Sequence, residues 1–428
     1  MSASTVSTKV DVAVIGAGPA GLAAAAAARR NGAGRVVIIE RDAGPGGILP
    51  QCIHDGFGLH LYGERLTGPE VAEILVEDAL ACGVEVWPET TVTWLSPDRR
   101  LELIGPTAGV RALEAGAVVL AMGCRERTRS QVRIHGTRPA GVFTAGAAQR
   151  CVNVEGLLPG RHALILGSGD VGLIMARRLT LEGAEVVGVF EILPEPSGLR
   201  RNTVQCLDDF GIPLHLSHTV TAVHGRKRVE GVTVAQVDAA GKPVAATARF
   251  VACDTLILSV GLIPENELSR QAGIALDSRT GGPVVDDGWQ TSVPGVFACG
   301  NAVHVFDLVD YVVASAKMAG ESAARFASTK SGRRTIALVA GDGIRYVIPQ
   351  LVREASRDLT LYIRVTQSLR RPRLEARVDG RVIASRRRPA VRPPELEVWP
   401  LELELADLPG AATPSTPEIE ISACRDER

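Results

Sequence analysis

GAGPAGLAAAAAARRNGAGRVVIIE, Gly16 to Glu40, returns 151 positions later as GSGDVGLIMARRLTLEGAEVVGVFE, Gly167 to Glu191. The copies align without a gap: Gly16, Gly18 and Gly21 fall on Gly167, Gly169 and Gly172, and Glu40 falls on Glu191. Each follows an apolar run, Val10 to Ile15 and His162 to Leu166, of the kind a buried parallel strand gives. Each copy therefore reads as strand, glycine-rich turn, helix and second strand, and the rest of the chain is arranged around this duplication.

A lone G-x-G-x-x-G is a weak signal, but here its confirming context occurs twice: a strand before, a helix after, and an acidic residue ending the next strand. The first glycine permits a tight turn, the second lets backbone approach a pyrophosphate, and the third lets helix and strand pack closely. The helix N-terminus offers unpaired N–H groups and partial positive charge to phosphates. Glu40 and Glu191 are placed to accept hydrogen bonds from a ribose 2′-hydroxyl, and the neighbouring Pro19, Ala20, Asp170 and Val171 open the two helices.

A chain of 428 residues is long enough for two to four domains. Its 47 basic and 48 acidic side chains leave a net charge of −1, so no strong field recruits nucleic acid or an anionic membrane. The arginine clusters at Arg370, Arg371 and Arg373 and at Arg386 to Arg388 read as solvated surface. No stretch is long and apolar enough for a transmembrane span, and Met1 to Lys9 is a polar, disordered lead-in rather than a signal peptide. The expected location is cytoplasmic.

None of the eight cysteines lies closer than 27 positions to another. There is no C-x-x-C pair, zinc spacing or iron–sulfur run, and no metal site is expected. His60, His135, His215, His218 and His224 show no ligand spacing and read as structural. After Glu40 and Arg41, RDAGPGGILPQCIHDGFGLHLYGERLTGPE is too irregular for a plain connector and reads as a site-shaping loop. A helix is expected from Gly68 to Cys82, a strand over Val84 to Trp87, a hairpin over Val92 to Leu95 and Leu101 to Ile104, and a strand over Ala117 to Ala121.

The order GAGPAGLA, strand-end Glu40, Gly46-Gly47, AMG at Ala121 to Gly123, a second G-x-G-x-x-G, and TSVPGVFACGNA at Thr291 to Ala302 resembles the FAD-dependent pyridine nucleotide-disulfide oxidoreductases and their disulfide-lacking relatives. The resemblance runs from about Val10 to Ala327. It implies two Rossmann-like α/β folds, an NAD(H)-binding domain (126–279) inserted in an FAD-binding domain (10–125 and 280–332). FAD would meet Gly16, Gly18, Pro19, Ala20, Gly21, Glu40, Arg41, Gly46, Gly47, Ala121, Gly123, Gly300 and Asn301. NAD(H) would meet Gly167, Gly169, Asp170, Val171, Gly172, Glu191 and Gly261. Asn301 departs from the family's usual Asp, but an amide still accepts and donates. The helix Asp310 to Ala327 looks like the one whose N-terminus faces the flavin pyrimidine edge. Glu191 favours NAD(H) over NADP(H), since a carboxylate repels a 2′-phosphate, although Arg200 and Arg201 follow closely.

Disulfide reductases of this family keep two cysteines close together for thiol exchange. Here the equivalent loop has only Cys52, so a dithiol reductase is not expected. Cys52 beside His54 is the one candidate catalytic thiol, against the plain reading of a buried thiol and a packed histidine. GGILPQCIHDGFGLHLYGERLTGPE, GCRERTR and DLVDYVVASAKMAGESAA look most like a subgroup whose members partner glycerol-3-phosphate dehydrogenase or serve as subunits of opine, hydroxyproline and hydrogen cyanide-forming dehydrogenases. The missing cysteine cluster favours the glycerol-3-phosphate-linked branch.

From Thr335 the pattern changes to short strands with turn signals such as Asp379-Gly380. A small β-rich C-terminal domain (335–410) is expected, to cap the flavin domain, form a homodimer contact or dock a partner dehydrogenase, with a flexible tail over 411–428. Two functions stay open: an oxidoreductase moving hydride between NAD(H) and a partner flavin, quinone or oxygen, or an FAD-binding subunit with a mainly assembling role. Direct oxidation of an amino acid would need a carboxylate clamp, for which Arg125 and Arg127 are available.

Overall fold

The computed structural model describes residues 8–106, 109–328, 336–353, 359–402 and 418–425. The described chain divides into two units, 1–124 with 264–428, and 125–263. The second unit runs from Arg125 to Ile263, and Glu267–Gln271 lies in the first.

In the first unit, strands Glu85–Trp87, Val36–Ile39, Thr8–Ile15 and Gly109–Leu120 lie side by side in parallel. Gly109–Leu120 is long enough to serve two partners: Arg100–Gly105 pairs antiparallel along it, and Val296–Ala298 pairs parallel with its last residues, Val118 to Leu120. The expected hairpin forms as Thr91–Leu95 and Arg100–Gly105, burying Leu95, Leu101 and Leu103. Val36 to Ile39 is buried throughout, as a strand covered on both faces must be.

Helix Pro19–Arg30 is built on an alanine run, the residue of highest helix propensity, and Ala20 to Ala28 are buried. Small side chains let a second helix, Val309–Ser328, come against it. A β-carbon on Gly320 would sit 2.1 Å from the Ala24 carbonyl oxygen, so the crossing is backbone on backbone. Helix Gly68–Ala81 starts with a reciprocal cap in which Thr67 and Glu70 bond each other's backbone or side chain.

The inserted unit holds a five-stranded parallel sheet, in order Val142–Thr144, Thr255–Leu258, His162–Leu166, Glu185–Phe190 and Leu214–His215. One face packs helix Asp170–Leu181 through Leu173, Ala176 and Leu179. The other carries Leu164, Leu166, Leu256 and Leu258 against an antiparallel sheet of His218–His224, Gly231–Gln236 and Arg249–Ala252. Both parallel sheets are hydrophobic on both faces, which is why their strands read as continuous apolar runs.

The C-terminal region is strand-rich, with a five-stranded sheet and a three-stranded sheet of Ile344–Ile348, Leu359–Val365 and Glu397–Leu401 around their own core. It packs within the first unit, and Ile348 and Tyr362 reach that unit's main core. The expected tail is corrected in part: Glu418–Arg425 is a strand between Ile336–Ala340 and Pro372–Val378, central to the five-stranded sheet. Alternating burial of Ile419 and Ile421 supplies the reason, an amphipathic period of two that the Pro- and Thr-rich residues before it obscured. The expected tail residues 411–417 and 426–428, and the lead-in before Thr8, lie outside the described residues. Among the described residues no helix is long and apolar enough to cross a membrane.

Candidate dinucleotide sites

The first site gathers at the carboxyl ends of adjacent parallel strands, where open α/β sheets bind ligands. Gly16 and Gly18 leave strand Thr8–Ile15, Glu40 and Arg41 leave Val36–Ile39, Ala121 and Gly123 leave Gly109–Leu120, and Gly300 and Asn301 leave Val296–Ala298. These segments touch. A β-carbon on Gly16 would stand 2.6 Å from the Ala121 carbonyl oxygen, one on Gly47 2.8 Å from the Gly18 Cα, and one on Gly300 2.7 Å from the Ala20 Cβ. Gly300 also needs its φ of +61°, which only glycine adopts without strain.

Glu40, 6% exposed, accepts the Ala17 amide at 2.6 Å on one oxygen and the Asp42 amide at 2.8 Å on the other. Gly46 returns its amide to the Ala17 carbonyl at 2.8 Å, so the loop after Glu40 lies against the glycine turn. Helix Pro19–Arg30 has glycine at its N-cap, no side-chain cap and no acid in its first turn. Those amides are left for an external anion, and nothing lies within 4 Å of where a Gly123 β-carbon would be. On these observations the residues fit a pyrophosphate-bearing flavin nucleotide.

Asn301 donates through Nδ2 to Cys124 Sγ at 3.7 Å and accepts the Phe306 amide at 3.0 Å. Asp310, 4% exposed, stands in the first turn of helix Val309–Ser328 and accepts the amides of His60 and Leu61 at 2.9 and 3.0 Å. That helix end was expected to offer its positive potential to the flavin. The carboxylate offsets part of that potential and holds the short helix Leu59–Tyr62 through the two amides it accepts.

In the inserted unit, Gly167, Gly169 and Gly172 form the second turn, with Asp170 and Val171 at the head of helix Asp170–Leu181. Ser259 backs it: a β-carbon on Gly167 would lie 2.0 Å from its carbonyl oxygen, and its hydroxyl accepts the Gly172 amide at 3.1 Å. Gly261 follows with φ of +102°. Asp170 accepts the Leu199 amide at 2.8 Å and Asn202 Nδ2 at 2.7 Å. Glu191, 3% exposed, accepts from its own chain as well, through Ser168, Ser197 and Leu193. Ser168, Ser197 and Ser259 escaped sequence reading. The signal available for the first two was the offset of 151, which puts them where Ala17 and Gly46 stand in the other copy.

None of the eight cysteines is joined in a disulfide among the described residues. Cys52 donates to the Ile48 carbonyl at 3.4 Å, and burial pushes its thiol up to about 12. Burial likewise raises Cys253 to about 11 and Cys299 to about 12. None of these three is set up as a thiolate. The His54 ring lies 4.9 Å from that of Phe57, tilted by 35°, and its Nδ1 lies 3.2 Å from the Asp55 carbonyl oxygen.

A second cluster joins the C-terminal strands to the segment after Asn301. Buried Arg364 pairs with Asp307 and also donates to the Val305 and Pro394 carbonyls. His304, 1% exposed, is packed by Phe306, Tyr346 and Tyr362, and among the described residues neither ring nitrogen has a partner within hydrogen-bond distance.

Comparison with known proteins agrees with this geometry. An opine oxidase subunit of Agrobacterium tumefaciens (strain Ach5) is 27% identical over 315 residues, 69% of this chain and 61% of that one. Hydrogen cyanide synthase subunit HcnB of Pseudomonas aeruginosa is 29% identical over 278 residues, 61% of this chain and 59% of that one. The chain thus spans about three-fifths of the length of these curated relatives. The crystal structure of T. acidophilum thioredoxin reductase superposes with a TM-score of 0.62 at 22% identity, covering 75% of this chain and 99% of that one, a likeness of fold. Residues 10–323 match the sequence model of the pyridine nucleotide-disulphide oxidoreductases, whose members bind FAD and NAD(P)H. The chain belongs to the pyridine nucleotide-disulphide oxidoreductase family.

Proposed function

We propose that this protein is an FAD-dependent oxidoreductase that passes hydride between a nicotinamide nucleotide and a second redox partner without a redox-active cysteine pair. The observation that carries the reading is that two glycine turns of matching build coexist with eight cysteines of which no two lie closer than 27 positions in the sequence. FAD is assigned to the turn at Gly16 to Gly21 and the nicotinamide nucleotide to that at Gly167 to Gly172. When bound, the flavin supplies the ring that accepts hydride; the chain's part is to orient both nucleotides and to exclude water, since positioning is most of what such a reaction asks of a protein. Cys52 takes no part in the electron path under this reading, because its thiol is held protonated.

The electrons leave to, or arrive from, a partner flavin dehydrogenase of the glycerol-3-phosphate type, a quinone or oxygen. Eight cysteines with no pair closer than 27 positions in the sequence support a reduced, cytoplasmic setting. A second reading is supported by the names of two of the curated relatives, each a subunit: an FAD-binding component of a larger, amino-acid-type dehydrogenase. Anaerobic titration of the purified protein with NADH and then NADPH, followed by flavin absorbance, separates the two. Rapid bleaching is expected. A bound flavin that stays oxidised with both nucleotides would sink the hydride reading and leave the assembling role.

A further inference from the structure

Both folds bring the loop after their acidic residue back to the glycine turn, in the same register and with different chemistry. At the offset of 151, Ala17, Glu40, Asp42 and Gly46 correspond to Ser168, Glu191, Leu193 and Ser197. Two bonds are common to both copies: the residue after the first glycine donates its amide to the carboxylate, and so does the residue two beyond the carboxylate. Glu40 receives those two donors and keeps lone pairs on both oxygens, since an ionised carboxylate has about four acceptor sites.

Glu191 receives two more. Its Oε2 accepts the Ser168 amide at 2.9 Å, the Ser168 hydroxyl at 2.6 Å and the Ser197 hydroxyl at 2.8 Å, while Oε1 accepts the Leu193 amide at 2.9 Å. Oε2 has no lone pair left for a ribose hydroxyl while Oε1 keeps one, so a ribose diol that engages both oxygens meets one of them closed. The loop is pinned further: the Ser197 amide donates to the Ser168 hydroxyl at 2.9 Å, and a β-carbon on Gly198 would lie 2.8 Å from the Ser168 carbonyl oxygen. Asp170 holds the far end through Leu199 and Asn202. The first fold has no hydroxyl at either equivalent position, because Ala17 and Gly46 stand there.

We propose that Ser168 and Ser197 form a hydroxyl latch on Glu191, which holds the second fold's ribose acceptor closed so that the affinity for NAD(H) is set by the two serines together with the carboxylate. This rests on the assignment of the nicotinamide nucleotide to the second turn. Binding then exchanges bonds: the Ser197 hydroxyl leaves Oε2 and a ribose hydroxyl takes its place. A latch of this kind makes the carboxylate selective only after opening, and it lowers affinity by the fraction of molecules that are open.

The test uses the FAD-loaded full chain in two measurements on Ser197→Ala, Ser168→Ala and Ser197→Thr: the dissociation constant for NADH, and amide hydrogen exchange across residues 192–199. Ser197→Ala should tighten NADH about tenfold, the scale of one charge-assisted hydrogen bond no longer displaced, and should speed exchange in that segment. Ser197→Thr keeps the hydroxyl and should match the wild type in both. Unchanged exchange in Ser197→Ala overturns the latch whatever NADH does, and so does weaker NADH binding, which would make Ser197 a ribose ligand itself. Faster exchange with no binding of NADH or NADPH by any variant or the wild type keeps the closed latch and defeats the nucleotide assignment, together with the latch's role in affinity.

Discussion

A β-carbon on Gly21 would lie 1.8 Å from the carbonyl oxygen of Gly16. That oxygen is backbone at the end of a central strand, so it cannot rotate away, and the contact explains why the third glycine of the motif is needed for helix and strand to pack. Gly21→Ala should therefore lose FAD and fold stability, by on the order of 2 kcal/mol or more from overpacking. Gly44→Ala, where nothing lies within 4 Å, should stay within about 0.5 kcal/mol of the parent. FAD content after gel filtration and urea midpoints read both. Equal losses in the two would show that this close approach is not the cause.

Burial pushes the Cys52 thiol up to about 12. At pH 8 its thiolate fraction is then about a thousandfold lower than that of an ordinary thiol near 8.5. Iodoacetamide labelling followed by peptide mapping should leave Cys52 unmodified while exposed model thiols react to completion. Labelling at the rate of a free thiol would restore Cys52 as a redox candidate.

Arg364 and Asp307 form a buried ion pair whose remaining donors reach the Val305 and Pro394 carbonyls. Removing the cation alone strands the carboxylate, so Arg364→Met should cost about 3–5 kcal/mol in urea unfolding. The double variant Arg364→Met with Asp307→Asn should recover part of it, because the uncompensated charge is gone. A double variant as unstable as the single would place the loss in packing instead.

Burial, with Arg364 nearby, pushes the His304 imidazole down to about 3. A depressed histidine favours the fold fully above its unfolded value near 6.5 and loses that contribution as pH falls toward 3. Between pH 7 and 4.5 the loss is about 2–3 kcal/mol. His304→Phe should flatten this acid limb in urea unfolding at the two pH values. An unchanged limb would mean that other groups cause it.

Asp286 has the opposite sign. Burial raises its carboxyl to about 6, despite Arg353 at 3.0 Å and the amides of Gln290 and Gly288. A raised acid supports the fold fully below its unfolded value near 3.9 and loses that support as pH rises through 6, on the order of 2–3 kcal/mol. Asp286→Asn keeps an acceptor for the two amides and should remove the decline between pH 4 and 6. Persistence of the decline would assign it elsewhere.

Much of this protein was legible from local pattern alone. Two glycine turns, the strands before them, the helices after them and the acid at each next strand end follow from short-range rules: apolar runs, alanine propensity and turn geometry act within a few residues. Family membership followed from the order of those segments. The closing of the sheet by Val296–Ala298 against Val118 to Leu120 could be expected from the same order.

What tertiary structure alone decided was which group each side chain meets. Glu40 and Glu191 occupy matching positions, yet Ser197 closes one and a glycine leaves the other open. Glu418–Arg425 enters the middle of a sheet whose neighbours lie far away in the chain, and the helix offered to the flavin carries Asp310 bound to His60 and Leu61. The last two outcomes depend on partners tens to hundreds of residues distant, and the first on how a six-residue loop folds back. Hydrogen bonding and burial are satisfied in three dimensions, where sequence spacing sets no distance.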